Sequence, residues 1–225
     1  MAVEFSYSDV EGALAKLNRV ATDKRIAFRA RLKHLQRQGF PAGVNTGTGR
    51  RAAYSVASLL QLALATELTQ AGMAPKRVVR IIEGNWWQIA RAFLVAMSPV
   101  DYLNTWEVPP ETNKLSLVLN PEALRDLSEE GEGEFDYYES IAVITADGLG
   151  LALGSHRENP PSVGETWRNL IINIHDLSSV LIGLVRDVRP DLSRSDIILS
   201  FEDYIREKQR EFQEAAASIE KVFGR

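Results

Sequence analysis

Arg29, Lys33 and Arg37 recur at four-residue steps within the stretch Thr22–Tyr54, TDKRIAFRARLKHLQRQGFPAGVNTGTGRRAAY. At 3.6 residues per turn that spacing keeps three long cationic side chains on one helical face. Phe28, Leu32 and Leu35 fall on another face, which suits burial. Lys24 and Arg25 extend the positive charge to the start of the helix, and Arg50 and Arg51 follow a loop containing Pro41, Gly43, Gly47 and Gly49. The chemistry these groups offer is attraction to a polyanion and hydrogen bonding to base edges, with no bond made or broken. A basic helix alone is as well explained by a solvated face. The second basic element beside it favours a helix in the major groove with a hairpin wing along the phosphates. Gly47-Thr48-Gly49 lacks the spacing and the Lys-Ser/Thr ending of a nucleotide-cradling loop.

Other chemistries lack their residues. The chain has no cysteine, which excludes disulfides, thiolate metal sites and cysteine nucleophiles. His34, His156 and His175 stand in different segments and form no triad or metal spacing. The acidic run Glu129–Glu139 lacks the Asp/Asn alternation and terminal Glu of a calcium loop and reads as solvated. No paired carboxylates or nucleophile elbow can be defended, so the chain reads as a non-enzyme without cofactors.

A net charge of −4 conceals an asymmetry. Residues 1–91 hold 14 Lys+Arg against 6 Asp+Glu, a net of +8, whereas residues 92–225 hold 12 against 24, a net of −12. A basic nucleic-acid module joined to an acidic regulatory or assembly module would give this division. We therefore expect a DNA-binding domain over 1–98, a linker over 99–113 marked by Pro109-Pro110, and an α+β dimerisation or regulatory domain over 114–225. No apolar run approaches the roughly 20 residues that span a bilayer, and the N-terminus has no apolar signal core, so a cytoplasmic location is expected.

The elements that must position the cations read as follows. Ser8 with Glu11 has capping-box spacing and opens a helix running to about Val20. Asp23 caps the basic helix, which Gly39 closes in a left-handed conformation. Val56, Leu59, Leu60, Ala63 and Leu64 form a core helix ending at Gly72. Pro75 starts another, with Val78, Val79, Ile81 and Ile82 inward and Lys76, Arg77 and Arg80 outward. Asn85-Trp86-Trp87 begins a further helical stretch, with Trp86, Ala90, Phe93 and Met97 packing at 4-3-4 spacing. Beyond the linker, Leu115–Leu119 alternates as a strand, and a short helix holds Leu124 and Leu127. Ile141–Thr145, Asp147-Gly148 and Leu149–Leu153 read as a β-hairpin. Two long helices follow, one with a heptad seam from Trp167 through Leu170, Ile174, Leu177, Leu181 and Leu184 to Val188. The other runs from Ile198 through Phe201, Ile205, Phe212, Ala215 and Ile219 to Val222.

Arg31-Leu32-Lys33-His34-Leu35-Gln36-Arg37-Gln38-Gly39-Phe40-Pro41 resembles the second helix and following turn of MerR-type winged-helix regulators. Gly49-Arg50-Arg51-Ala52-Ala53-Tyr54 is similar to their wing return, and Ser55–Gly72 and Pro75–Ile82 are similar to their two supporting helices. The resemblance covers about the first 85 residues and implies DNA binding. The expected fold is mainly α: an N-terminal winged helix-turn-helix, then a small α+β domain ending in two long helices. The expected function is a sequence-specific transcriptional regulator that binds double-stranded DNA through Lys24, Arg25, Arg29, Lys33, Arg37, Arg50 and Arg51. The C-terminal helices are expected to form a homodimer, and RNA polymerase or another protein is a candidate further partner. The alternative is an architectural or adaptor protein linking DNA to the transcription machinery.

Overall fold

The computed structural model describes residues 2–44, 52–98, 114–119, 141–145, 148–149 and 169–223, with side chains described as far as residue 216. The first helix, α1 (Tyr7–Leu17), opens on Ser6 rather than Ser8. Ser6 Oγ accepts the Asp9 N–H at 3.2 Å and the Asp9 carboxylate accepts the Ser6 N–H at 2.8 Å. Ser6-x-x-Asp9 has the same capping spacing as the expected Ser8-x-x-Glu11 pair, and capping there frees Glu11 to turn inward. A single 3-10 turn, Thr22–Lys24, leads into α2 (Arg25–Arg37). The sequence expectation that Asp23 caps α2 is corrected: the 3-10 turn that contains Asp23 runs straight into the helix. The residue at the cap is Lys24, already helical in backbone and making no side-chain cap bond. Gly39 does close the helix, at φ +81°. A Cβ there would touch nothing within 4 Å, so Gly39→Ala tests backbone strain alone. We expect it to cost about 1–2 kcal/mol, read from urea unfolding midpoints.

The chain then returns beside its own start. Phe5 and Tyr54 exchange both backbone hydrogen bonds, at 2.8 and 3.0 Å, in an antiparallel bridge. From there Ser55 caps α3 (Val56–Gln70), whose residues Val56 to Thr66 are all buried. A helix apolar on every side belongs at the centre of a bundle, and α3 packs against α1, α4 and the last helix. Gly72, at φ +91°, ends the turn that follows it.

The next helix, α4 (Pro75–Met97), is one continuous rod of 23 residues where two stretches were expected. Asn85 does not start a new helix: it is buried, and its side-chain amide donates to the Ile81 carbonyl at 2.9 Å, within the same ladder. Ala90, Phe93 and Met97 are buried as their spacing predicts. Arg77, expected on the outer face with Lys76 and Arg80, is instead buried. A long aliphatic stem lets arginine pack where its position on the helix demands it.

A three-stranded antiparallel sheet follows, in the order β2-β1-β3, with β1 (Leu115–Leu119) between β2 (Ile141–Thr145) and β3 (Leu170–Asn173). Leu117 lies opposite Val143 on one side and Ile172 on the other. The expected hairpin is corrected here. Thr145 pairs back to Leu115, and Gly148 and Leu149 are helical rather than opening a return strand. Residues 150–153 lie outside the described residues. Strand β1 is buried from Ser116 to Leu119: both its edges are paired, and α4 packs against it.

Strand β3 also shortens the expected heptad helix. Leu170 lies in the strand, and Asn173 caps α5 (Ile174–Val188) by accepting the Asp176 N–H at 3.0 Å. The run Leu170-Ile171-Ile172 suits a strand better than a first helical turn. Trp167, the expected start of the seam, lies outside the described residues. The final helix is α6 (Arg194–Phe223), begun by a reciprocal Ser193–Asp196 cap.

Leu177 and Leu181 of the first seam are buried inside the chain, because α5 packs against α1 and α4. We therefore expect Leu177→Asp to unfold the protein rather than merely dissociate a dimer, with loss of helical circular dichroism as the readout. On α6, Ile197, Ile198, Phe201 and Ile205 are buried, but residues 206–216 are exposed. The buried side chains of 2–98 and 169–205 belong to one continuous core that also takes in Leu117, Leu119 and Ile141. Polar contacts join the same parts: Val3 N–H to Ser200 Oγ at 2.9 Å, Lys16 to Asp187 at 3.1 Å and Trp86 Nε1–H to Tyr204 Oη at 2.8 Å. The linker at 99–113, the helix at Leu124 and Leu127 and the acidic run at 129–139 lie outside the described residues. The chain is thus mainly helical with one small antiparallel sheet. No helix among the described residues is long and apolar enough to cross a membrane.

Candidate nucleic-acid interface

Helix α2 carries five cations, Arg25, Arg29, Arg31, Lys33 and Arg37, and no carboxylate. Phe28, Leu32 and Leu35 are buried and fix the helix on the core. Their 4-3 spacing sets the rotation, which leaves Ile26, Arg29, Ala30, Lys33 and Arg37 on the exposed side. Ile26 is 80% exposed, an apolar side chain among cations. Sequence periodicity thus gives the burial of this helix correctly.

The two ends of the basic face differ. Glu11, from α1, has a side chain only 4% exposed, and its two carboxylate oxygens accept Arg25 Nε and Nη2 at 2.7 and 2.6 Å. Arg29 Nε lies 3.3 Å from the same carboxylate. The Arg25 guanidinium, with help from Arg29, holds the Glu11 carboxyl below the usual carboxylate range despite its burial, and Glu11 in turn raises Arg25. Bidentate geometry of this kind fixes both orientation and charge. Arg25 and Arg29 therefore brace α2 against α1. Lys24 sits 3.2 Å from Asp23, an exposed pair of neighbours that constrains little. Arg31, Lys33 and Arg37 have no ion-pair partner among the described residues.

Glu11 escaped the sequence reading, which had assigned it to a cap. It lies fourteen positions before Arg25 in the chain, and neither residue signals the other. Arg31 was also passed over as a site residue, although the lack of any acid in α2 marks it equally. Arg50 and Arg51 lie outside the described residues. The end of their loop is nonetheless anchored: Tyr54 is fully buried, and the Gln36 side-chain amide, on α2, donates to its hydroxyl. Burial raises the Tyr54 hydroxyl above its ordinary pKa. The hydroxyl of Tyr7 is buried nearby and is likewise raised, first by burial and then by Glu11.

Beside α2 an open groove of about 600 Å³ runs toward the end of α3, with Phe28, Leu32 and Leu35 on its floor and Arg31 and His34 on its rim. Gln70 donates to Asn18 there at 2.6 Å, linking α3 to the end of α1. Among the described residues no three His, Asp or Glu side chains are grouped to hold a metal ion. What the surface offers is a row of exposed cations on α2, Arg29, Lys33 and Arg37, whose N-terminal end is paired with Glu11. Comparison with family models, with curated proteins and with solved structures finds no match.

Proposed function

We propose that the chain is a sequence-specific DNA-binding transcriptional regulator whose α2 enters the major groove of a duplex. The observation that carries this reading is the exposed face of α2. It sets Arg29, Lys33 and Arg37 on a helix that has no acid and is fixed to the core by three buried apolar residues. Cations of this kind bond phosphates and guanine edges, and exposed Ile26 supplies an apolar surface for a thymine methyl group. The Phe5–Tyr54 bridge supports a winged arrangement, because it brings the end of the loop containing Arg50 and Arg51 back beside the base of α1. The resemblance of residues 31–54 to MerR-type regulators points the same way. Double-stranded DNA is the partner, and a homodimer doubles the footprint of a module that alone covers only about 600–1,000 Å².

The test is selection from a random duplex pool with the full-length chain, followed by titration over a range of salt. A recurring motif should emerge, and affinity should fall with a log-log salt slope of about −0.9 per phosphate neutralised. Recovery of no motif, together with salt-independent retention of DNA, would refute the proposal.

A further inference from the structure

The Glu11 carboxylate serves two guanidinium groups, and it holds them unequally. Arg25 takes both oxygens, Nε on Oε1 at 2.7 Å and Nη2 on Oε2 at 2.6 Å. Arg29 Nε stands 3.3 Å from Oε1, the oxygen that Arg25 Nε already occupies, and its side chain is 52% exposed. The Arg25 hydrogen bond is accordingly the chief cause that lowers the Glu11 carboxyl; burial opposes it, and the Arg29 bond adds less. Glu11 therefore keeps its charge and a bidentate partner without Arg29. One carboxylate against two guanidinium groups also leaves a surplus cation, and no second carboxylate pairs with either arginine among the described residues. Tyr7 flanks the trio with a buried hydroxyl that has no hydrogen-bond partner, and burial and Glu11 keep it neutral, so it supplies no charge to fix Arg29. Arg29 lies one turn before Lys33 on the exposed face of α2. It belongs to the tether and to the row of cations at once.

We propose that Arg29 is an exchangeable cation, which rests on Glu11 in the free protein and passes to a DNA phosphate in the complex. Arg25 stays behind as the fixed arm of the tether. Glu11 is then an internal competitor for Arg29, and it weakens the hold on every duplex by the contribution of the contact that is given up. The transfer is balanced in charge, because the guanidinium moves from one oxyanion to another while Arg25 still neutralises Glu11. Its driving force is also defined. A half-exposed ion pair is weak, whereas a new phosphate contact releases a condensed counterion from the duplex. The inference rests on the DNA-binding reading and deepens it, since it names how the first exposed cation of α2 is regulated.

A double-mutant cycle in DNA affinity tests the exchange. Glu11→Gln keeps the shape of the side chain and an acceptor for Arg25, but gives up the charge that holds Arg29. Affinity of the full chain for a random-sequence duplex, measured where unfolding curves show each variant folded, should rise roughly two- to fivefold. In an Arg29→Gln background the same change should give no rise. A fall by one factor in both backgrounds would mean that Glu11 only seats α2, and a rise that persists without Arg29 would assign the competition elsewhere; either overturns the proposal. The wild-type chain gives a second reading that needs no change at Glu11. The Nε–H proton resonance of Arg29, assigned by its loss in Arg29→Gln, should move as the duplex is added, while that of Arg25 stays. A duplex that binds and leaves the Arg29 resonance in place, or shifts both alike, refutes the exchange alone. A chain that retains no duplex sinks the DNA-binding reading and this inference with it.

Discussion

Glu11→Ala is expected to lower the unfolding free energy by about 3 kcal/mol, the low end of the cost of breaking a buried ion pair by removing one partner. Glu11 is almost wholly enclosed, while the side chains of Arg25 and Arg29 are 30% and 52% exposed. After truncation the two guanidinium groups can turn partly to water, which keeps the cost from the top of the range. Glu11→Gln isolates the charge, since it preserves shape and one acceptor. The folded carboxyl titrates below its ordinary value, chiefly through the Arg25 hydrogen bond. Its contribution is therefore fully present above the ordinary carboxylate pKa and is lost as pH falls through the depressed folded value. Urea unfolding across the acid range should show a stability difference between wild type and Glu11→Gln that is constant near neutrality and narrows on acidification. A difference that stays constant down to the most acid point would mean that Glu11 contributes only packing.

That pair also marks the boundary between what could and could not be read from the chain. The burial of Phe28, Leu32 and Leu35, the stop at Gly39, the core character of α3 and the positions of β1 and β2 follow from periodicity and turn chemistry, which are local. The errors share another cause. Ser8 and Ser6 are both capping residues, and only packing decides which one starts α1. Leu170 fits a heptad seam and a strand equally well until β1 offers it an edge. Asn85 resembles a helix start in sequence, yet its amide completes the ladder of α4 because the flanking apolar residues are already committed to one continuous face. The hairpin at Asp147-Gly148 has proper turn residues, but Gly148 and Leu149 are helical and β2 pairs with buried β1. In each case a non-local contact chose between two locally acceptable states. The candidate site divides similarly: the cations of α2 were legible as a row, whereas the tether that withdraws Arg25 and Arg29 from part of that row was not.

The tether leads to a division of labour within α2. Lys33→Ala with Arg37→Ala should leave stability within about 0.5 kcal/mol of wild type, because both side chains are exposed and have no ion-pair partner among the described residues. The same double variant should lose about 1–3 kcal/mol of DNA affinity for each base-edge contact removed, with discrimination relaxed at the base pairs concerned. Where either cation meets a phosphate instead, the salt slope should fall by about 0.9 per contact and all sequences should weaken alike. Arg25→Ala should show the opposite balance, a clear loss of stability with Glu11 left unpaired, and weaker DNA binding only as the seating of α2 loosens. Arg29→Ala should fall between them, since its guanidinium is half exposed yet held 3.3 Å from Glu11. Arg50→Ala with Arg51→Ala should weaken every duplex and flatten the salt slope without changing the preferred motif. Unfolding curves and duplex titrations on the same five preparations would decide the matter. If Lys33 and Arg37 affect stability as much as Arg25 does, or if Arg25 alone governs base preference, the outer face of α2 is not the reading surface.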